Sequence, residues 1–318
     1  MKNLILFLSI ILLISCSEQS EKSTGSKKNE IPAKESMASR KLPELSNIEQ
    51  LFEKINFKPQ DKPLETYKTR KLHQPDNMHR TIYLIPFGNM KPEVEEILKK
   101  ELKYLEAFFQ LPVKLLDRVP FDDIKKIEAV ETRMIGSTDY EYYSKEKDLP
   151  NQNIDLHEQI NAKSFIQHYL KNNKPKDAVA VLGITEHDIY APKYNYLFGL
   201  SNTSGGLGLV STFRLIDYKE TTRANIRKVI SKQIANMFSI PNVKDYVCLL
   251  NFHNSKEELE KGIFHISPVA LEKLKYNIGF NHHKRFSDLQ NFWLMEGNKE
   301  QADFYGECIR LLPEGKHH

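Results

Sequence analysis

The chain has 318 residues, 40% hydrophobic and 28% charged, which suits a soluble globular protein with one sizeable core or two small ones. Its 46 basic residues are scattered lysines and arginines interleaved with 42 acids, for a net charge of +4. That is a solvated surface, and it weighs against nucleic-acid binding, which would want a clustered basic face.

In chain order, residues 1–16 open with Met1-Lys2-Asn3 and run through an apolar stretch from Leu4 to Ile14 into Leu13-Ile14-Ser15-Cys16. The run has signal-peptide length and is too short to span a bilayer. It resembles a bacterial lipoprotein signal, in which Cys16 is lipidated and becomes the first mature residue. The expectation is a soluble chain tethered by lipid, with Ser17 rather than aspartate after Cys16 favouring the outer membrane. Residues 17–79 read as a disordered, lysine- and serine-rich tether followed by an irregular lead-in, with a weak helical pattern over 42–58.

The folded domain is expected over residues 80–312, with 313–318 as a tail. Residues 80–86 are rich in β-branched and aromatic side chains and read as a strand, followed by a long helix over 91–109 and a short strand over 112–116. Residues 137–153 are polar and tyrosine-rich, as in a loop, and 161–171 form a helix. The continuous apolar run 178–183 suits a strand buried on both faces, and 184–190 reads as a loop or short turn. Two strands over 194–200 and 208–215 are joined by a glycine-rich hairpin, whose glycines are no phosphate loop because no Gly-Lys-Ser or Gly-Lys-Thr follows. Further helices are expected over 267–275 and, in two pieces broken near Gly297, over 281–312. The fold class is α/β (α+β) with a mainly helical C-terminal part.

The stretch 227–250 organises the rest. Ile230, Ile234, Met237 and Phe238 recur at helical spacing, and Pro241 ends the pattern. Lys232 and Asn236 share a face, Gln233 sits beside them, and Asn242 follows once the chain has turned.

Leu182-Gly183-Ile184-Thr185, Asp188-Ile189-Tyr190-Ala191-Pro192, Asn195-Tyr196-Leu197-Phe198-Gly199 and Val210-Ser211-Thr212 together resemble the archaemetzincins, metzincin-like zinc metallopeptidases. Ile85-Pro86-Phe87-Gly88, Gln159, Lys273-Leu274 and Gly279-Phe280 extend the likeness, which runs from about Arg80 to Leu312. The resemblance implies a metzincin-like mixed sheet with a central active-site-type helix. The family's H-E-x-x-H-x-x-G-x-x-H spacing falls on Lys232, Gln233, Asn236, Ser239 and Asn242. Its four-cysteine second zinc site falls on Val243, Cys248, Ser267 and Ala270, and its Met-turn methionine on Leu250. Zinc is expected in the family, but here the first-site ligands and the catalytic glutamate are all replaced, so no catalytic residue and no metal ligand is assigned. An ammonium has no lone pair, amides are poor zinc ligands, and glutamine cannot act as the general base. One further expectation is that Lys232 fills the metal's place, hydrogen-bonded to Asn236 and Asn242.

Other candidates have simpler readings. Cys248 with His253 or His265 could form a nucleophilic pair, but no orienting group is evident. Cys248 and Cys308 could pair as a disulfide. Glu186-His187-Asp188 reads as a surface loop, His282-His283 as a solvated helix start, and His317-His318 as chance or an expression remnant. The leading functional reading is a pseudo-peptidase on a lipid anchor that binds a peptide or protein along the sheet edge without cutting it. A hydrolase or metallopeptidase with a rebuilt site and a structural envelope lipoprotein are the alternatives.

Overall fold

The structure is a computed structural model that describes residues 45–55, 61–136, 156–217 and 221–313. The Cys16 signal, the 17–40 tether, the 137–153 loop and His317-His318 lie outside the described residues.

β-branched and aliphatic runs build the central sheet. Thr81–Phe87 (β1) and Ala178–Thr185 (β5) are buried at every position and lie side by side in parallel. Both faces of these strands are covered, which is why their sequences are continuous apolar runs rather than alternating ones. Val113–Leu115 (β2) pairs with the outer side of β1, and Leu207–Ser211 (β9) with the outer side of β5, both in parallel. Gly199–Asn202 (β8) closes the order β2-β1-β5-β9-β8 as an antiparallel edge. A second sheet, in the order β3-β4-β6-β7, comprises Thr132–Ile135 (β3), His157–Asn161 (β4), Asp188–Ala191 (β6) and Tyr194–Leu197 (β7).

Two expectations change here. The segment 184–190 is a short turn at residues 186 and 187 only, because β5 extends to Thr185 and β6 starts at Asp188. The stretch 194–200 is not one strand either. It pairs with β6 up to Leu197 and with β9 from Gly199, so the chain crosses between sheets at Phe198. A period-2 pattern does not change when a strand changes partner, so the switch is invisible in sequence.

The helices are Leu64–Lys68 (α1), Pro92–Phe109 (α2), Phe121–Lys125 (α3), Ala162–Phe165 (α4, continued by a π turn over Ile166–Leu170) and Thr221–Met237 (α5). Lys256–Lys261 (α6), Pro268–Ile278 (α7), His282–Met295 (α8) and Lys299–Leu311 (α9) follow. Gly279 and Gly297, with φ of 84° and 70°, stop α7 and end the α8 segment, where a side chain would strain the left-handed turn. The helices α2, α5, α7, α8 and α9 share one large core with one side of the central sheet. A smaller core around Phe87, Phe165 and Ile189 fills the space between the other side, α4 and the second sheet. Among the described residues no helix is long and apolar enough to cross a membrane.

The folded region also starts earlier than Arg80. Leu45, Ile48, Phe52 and Tyr67 belong to the large core, and the Tyr67 hydroxyl donates to Phe238 O (2.9 Å) at the end of α5. The described residues between 45 and 79 therefore form a structural strap in part rather than a mere lead-in. Leu51, Leu64 and Leu72 pack against the same core, and the weak helical pattern over 42–58 shows an apolar face without showing what covers it.

Candidate functional site

Helix α5 is buried nearly all round, including polar Asn225, Arg227, Lys228, Ser231 and Gln233. Such a helix requires partners for its polar side chains. Near its start, Arg227 forms a bidentate pair with the fully buried Glu101 (2.6 and 2.8 Å) and lies over the rings of Trp293 and Tyr104. At the next residue, the Lys228 ammonium donates to Leu259 O (2.9 Å) and Glu260 O (3.0 Å), capping the end of α6.

Lys232 stands one further turn along. Its ammonium donates to Asn251 O (2.5 Å) and lies 5.4 Å from the Phe252 ring. Burial pushes its pKa down to about 8, and does the same at Lys228. The expected bonds from Lys232 to Asn236 and Asn242 are not made. Asn236 instead donates to Asn242 Oδ1 at 3.5 Å, and the lysine stem reaches the other way, towards the loop that follows. That loop is fixed by Asn251 itself. Its amide accepts from Cys248 N (2.7 Å) and donates to Val243 O and Tyr246 O (3.1 and 2.9 Å). No sequence pattern singles out Asn251; its signal is an asparagine in a turn, whose side chain can bond nearby backbone.

Gln233 points to the sheet edge. Its Oε1 accepts from the Ser201 hydroxyl on β8 (2.8 Å), and the side chain lies so close to Gly199 that an added Cβ there would sit 2.9 Å from Gln233 Cγ. Glycine at 199 is thus what lets the glutamine lie flat against β8.

The turn after α5 has the geometry of a Schellman stop. Ser239 N donates to Asn236 O, Ile240 N to Ala235 O, and Ser239 has a φ of +64°. Glycine is the usual residue at this position. Serine is held in it because its hydroxyl donates to Thr203 O (2.7 Å) and accepts from His73 N (3.0 Å).

The positions of the four-cysteine site also converge in part. Cys248 is buried with its thiol against the Leu250 and Ser267 amides and the Ser267 hydroxyl, and burial raises its pKa to about 11. Ser267 caps α7 by accepting from Ala270 N (3.4 Å), and Val243, Leu250 and Ala270 fill the adjoining core. Cys248 and Cys308 are separate free thiols, so the possible disulfide is not formed.

The remaining candidates do not assemble into a nucleophilic centre. The His265 ring stacks on Phe304 (3.4 Å between centroids), and burial lowers its pKa to about 3. His253 is held down to about 4 by burial first and by the nearby Lys232 and Lys228 charges. His282 is buried against Glu272 (2.8 Å) rather than solvated. Asp188 is not on a surface loop. It is fully buried at the start of β6 and accepts from Arg214 Nε and Nη2 (3.1 and 2.6 Å), Gln159 Nε2 (2.7 Å) and Ile189 N (3.1 Å), with His157 Nε2 at 3.0 Å. Its neighbours separate: His187 stacks on Phe121, and Glu186 accepts from Lys91 N (2.6 Å). Among the described residues no three His, Cys, Asp or Glu side chains are grouped as metal ligands.

No family model matches the chain. Archaemetzincin-2 of Rattus norvegicus is 26% identical over 245 residues, 65% of this chain and 62% of that protein. The archaemetzincin of Pyrococcus furiosus is 22% identical over 209 residues, covering 64% of this chain and 96% of the relative. Among solved structures, the archaemetzincin of Methanopyrus kandleri superposes with a TM-score of 0.47 at 20% identity, covering 64% of this chain and 97% of that one. The chain thus spans about three fifths of the length of the mammalian relatives and nearly all of the Pyrococcus protein. The sequence likeness to both the mammalian and the archaeal proteins means that this chain belongs to the archaemetzincin family, a family of zinc metallopeptidases.

Proposed function

We propose that this protein is a non-catalytic member of its family, a pseudo-peptidase that binds an extended peptide or protein segment, held at the outer membrane by lipid on Cys16. One observation carries the reading. The side chains at the metal and general-base positions are committed to protein partners: Lys232 to Asn251 O, Gln233 to Ser201, and Asn236 to Asn242. This donor set does not fit zinc. An ammonium presents hydrogens rather than a lone pair, amides bind the ion weakly, and glutamine takes no proton from a bound water. Peptide binding by strand addition needs only backbone groups at a sheet edge, and β8 supplies such an edge.

The test is metal content of untagged protein after zinc addition and dialysis without chelator, together with a peptide-hydrolysis assay. Substoichiometric metal and no turnover are expected. One tightly bound zinc per chain, or hydrolysis sensitive to a chelator, would overturn the reading. Replacing Lys232, Asn236 and Asn242 together by histidine is expected to create zinc binding where the parent has none.

A further inference from the structure

The side of β8 away from α5 borders a groove of about 550 Å³ between this edge strand and the α4 segment. Its floor is apolar, formed by Ile166, Leu200 and Leu207. Its rim carries Lys163, Lys171 and Lys174, and no aspartate or glutamate lines it. In a chain whose basic and acidic residues nearly balance, 46 to 42, a groove with three lysines and no acid is a local imbalance. None of the three ammonium groups has a carboxylate partner among the described residues, although most surface lysines on α2, α3, α8 and α9 that form ion pairs do so within their own helix. Lys174 is half-buried, and burial alone lowers its pKa, with no anion to offset it.

The strand beside the groove is open. Ser211 N donates to Phe198 O, so the alternation of an antiparallel pair puts the bonded positions of β8 at Leu200 and Asn202. The backbone N–H and C=O of Gly199 and Ser201 then turn outwards, and no described strand lies beyond β8. A segment added there would send alternate side chains towards the groove.

We propose that the groove and the β8 edge together recognise an extended peptide segment with acidic side chains at every second position. The segment pairs its backbone with Gly199 and Ser201 and sets its carboxylates against Lys163, Lys171 and Lys174. This rests on the peptide-binding reading above and adds the chemical class of the ligand. A lipid headgroup or a nucleic-acid phosphate would meet the lysines but leave the edge backbone unused, so a peptide fits more of the surface.

The test uses the peptide acetyl-Val-Glu-Val-Glu-Val-Glu-Val-amide, its glutamine counterpart, and phosphatidylglycerol vesicles. Binding is read by fluorescence anisotropy and by amide shifts at Gly199 and Ser201. The acidic peptide is expected to bind about tenfold or more tightly than the neutral one, since complementary charge at the rim selects partners. Its binding is expected to weaken as salt rises from about 0.05 to about 0.5 M, and to fall to the neutral peptide's level in Lys171→Glu/Lys174→Glu. Salt dependence in the parent protein serves as a readout that does not need the variant to fold. Equal binding of both peptides would overturn the acidic selectivity and leave the peptide-binding reading intact. Binding of neither would overturn both. Lysine-dependent binding of vesicles without peptide binding would assign the groove to a membrane surface and overturn the inference.

Discussion

Two charged centres of the molecule are built in opposite ways. Around Asp188, a fully buried carboxylate receives an arginine fork, a glutamine, its neighbour's amide and a histidine ring. Around Lys232, a partly buried ammonium has one backbone acceptor and a ring beside it. The first centre is closed. Its donors come from β4, β6 and the turn after β9, so it ties the second sheet to the end of the first. The second is open-ended, with a single carbonyl to meet the ammonium. A charge that is fully compensated contributes to the scaffold. One that is desolvated without full compensation lowers stability and is retained without a structural benefit that the geometry reveals.

That contrast can be broken experimentally. Asp188→Ala leaves Arg214 buried without its partner and is expected to cost about 3–5 kcal/mol in urea unfolding. A loss below about 1 kcal/mol would show that the cluster does not tie the two sheets together. Ser239→Ala keeps the left-handed backbone but removes the hydroxyl bonds to Thr203 and His73, for an expected loss of about 1–2 kcal/mol. Ser239→Gly is expected to recover part of this because glycine adopts positive φ without strain.

Lys232→Met is expected to stabilise the fold near neutral pH by about 1–3 kcal/mol, because it removes a desolvated ammonium that has only one acceptor. The pH dependence is sharper. Burial lowers the Lys232 pKa from 10.5 to about 8. Between those values the unfolded chain still holds the proton that the folded chain has released, so the lysine's contribution to stability rises with pH across this window. Its full cost applies below about pH 8. The stability of the parent relative to Lys232→Met should therefore increase from pH 8 to 10.5, and a flat difference would mean that Lys232 is ordinarily solvated. The smallest effect concerns the thiols. Cys248 and Cys308, both buried and raised to about 11 and 12, should react with a disulfide reagent only as the chain unfolds. Rapid labelling of native protein would place one of them at an accessible site.

The sequence carried much of the scaffold. The strands β1 and β5, the helix α2, the helix α5 with its stop near Pro241, and the C-terminal hairpin broken at Gly297 all follow from local pattern, since burial of one face and turn chemistry are written within short windows. The identities of Lys232, Gln233, Asn236 and Asn242, on which the proposed loss of catalysis rests, are also read directly from the sequence.

What those residues do instead was not legible. Lys232 turns to Asn251 rather than to Asn236 because the stitched loop after α5 brings a bare carbonyl within its reach. Asp188 is a buried hub rather than a loop residue because its partners, Arg214, Gln159 and His157, lie 26 to 31 residues away. The described residues between 45 and 79 join the core through side chains whose partners are distant in sequence, as Tyr67 does with Phe238 and Asn277. Local sequence sets which residues can form an element, whereas the partner of a long or charged side chain depends on which distant backbone groups the fold delivers, and only the tertiary structure decides that.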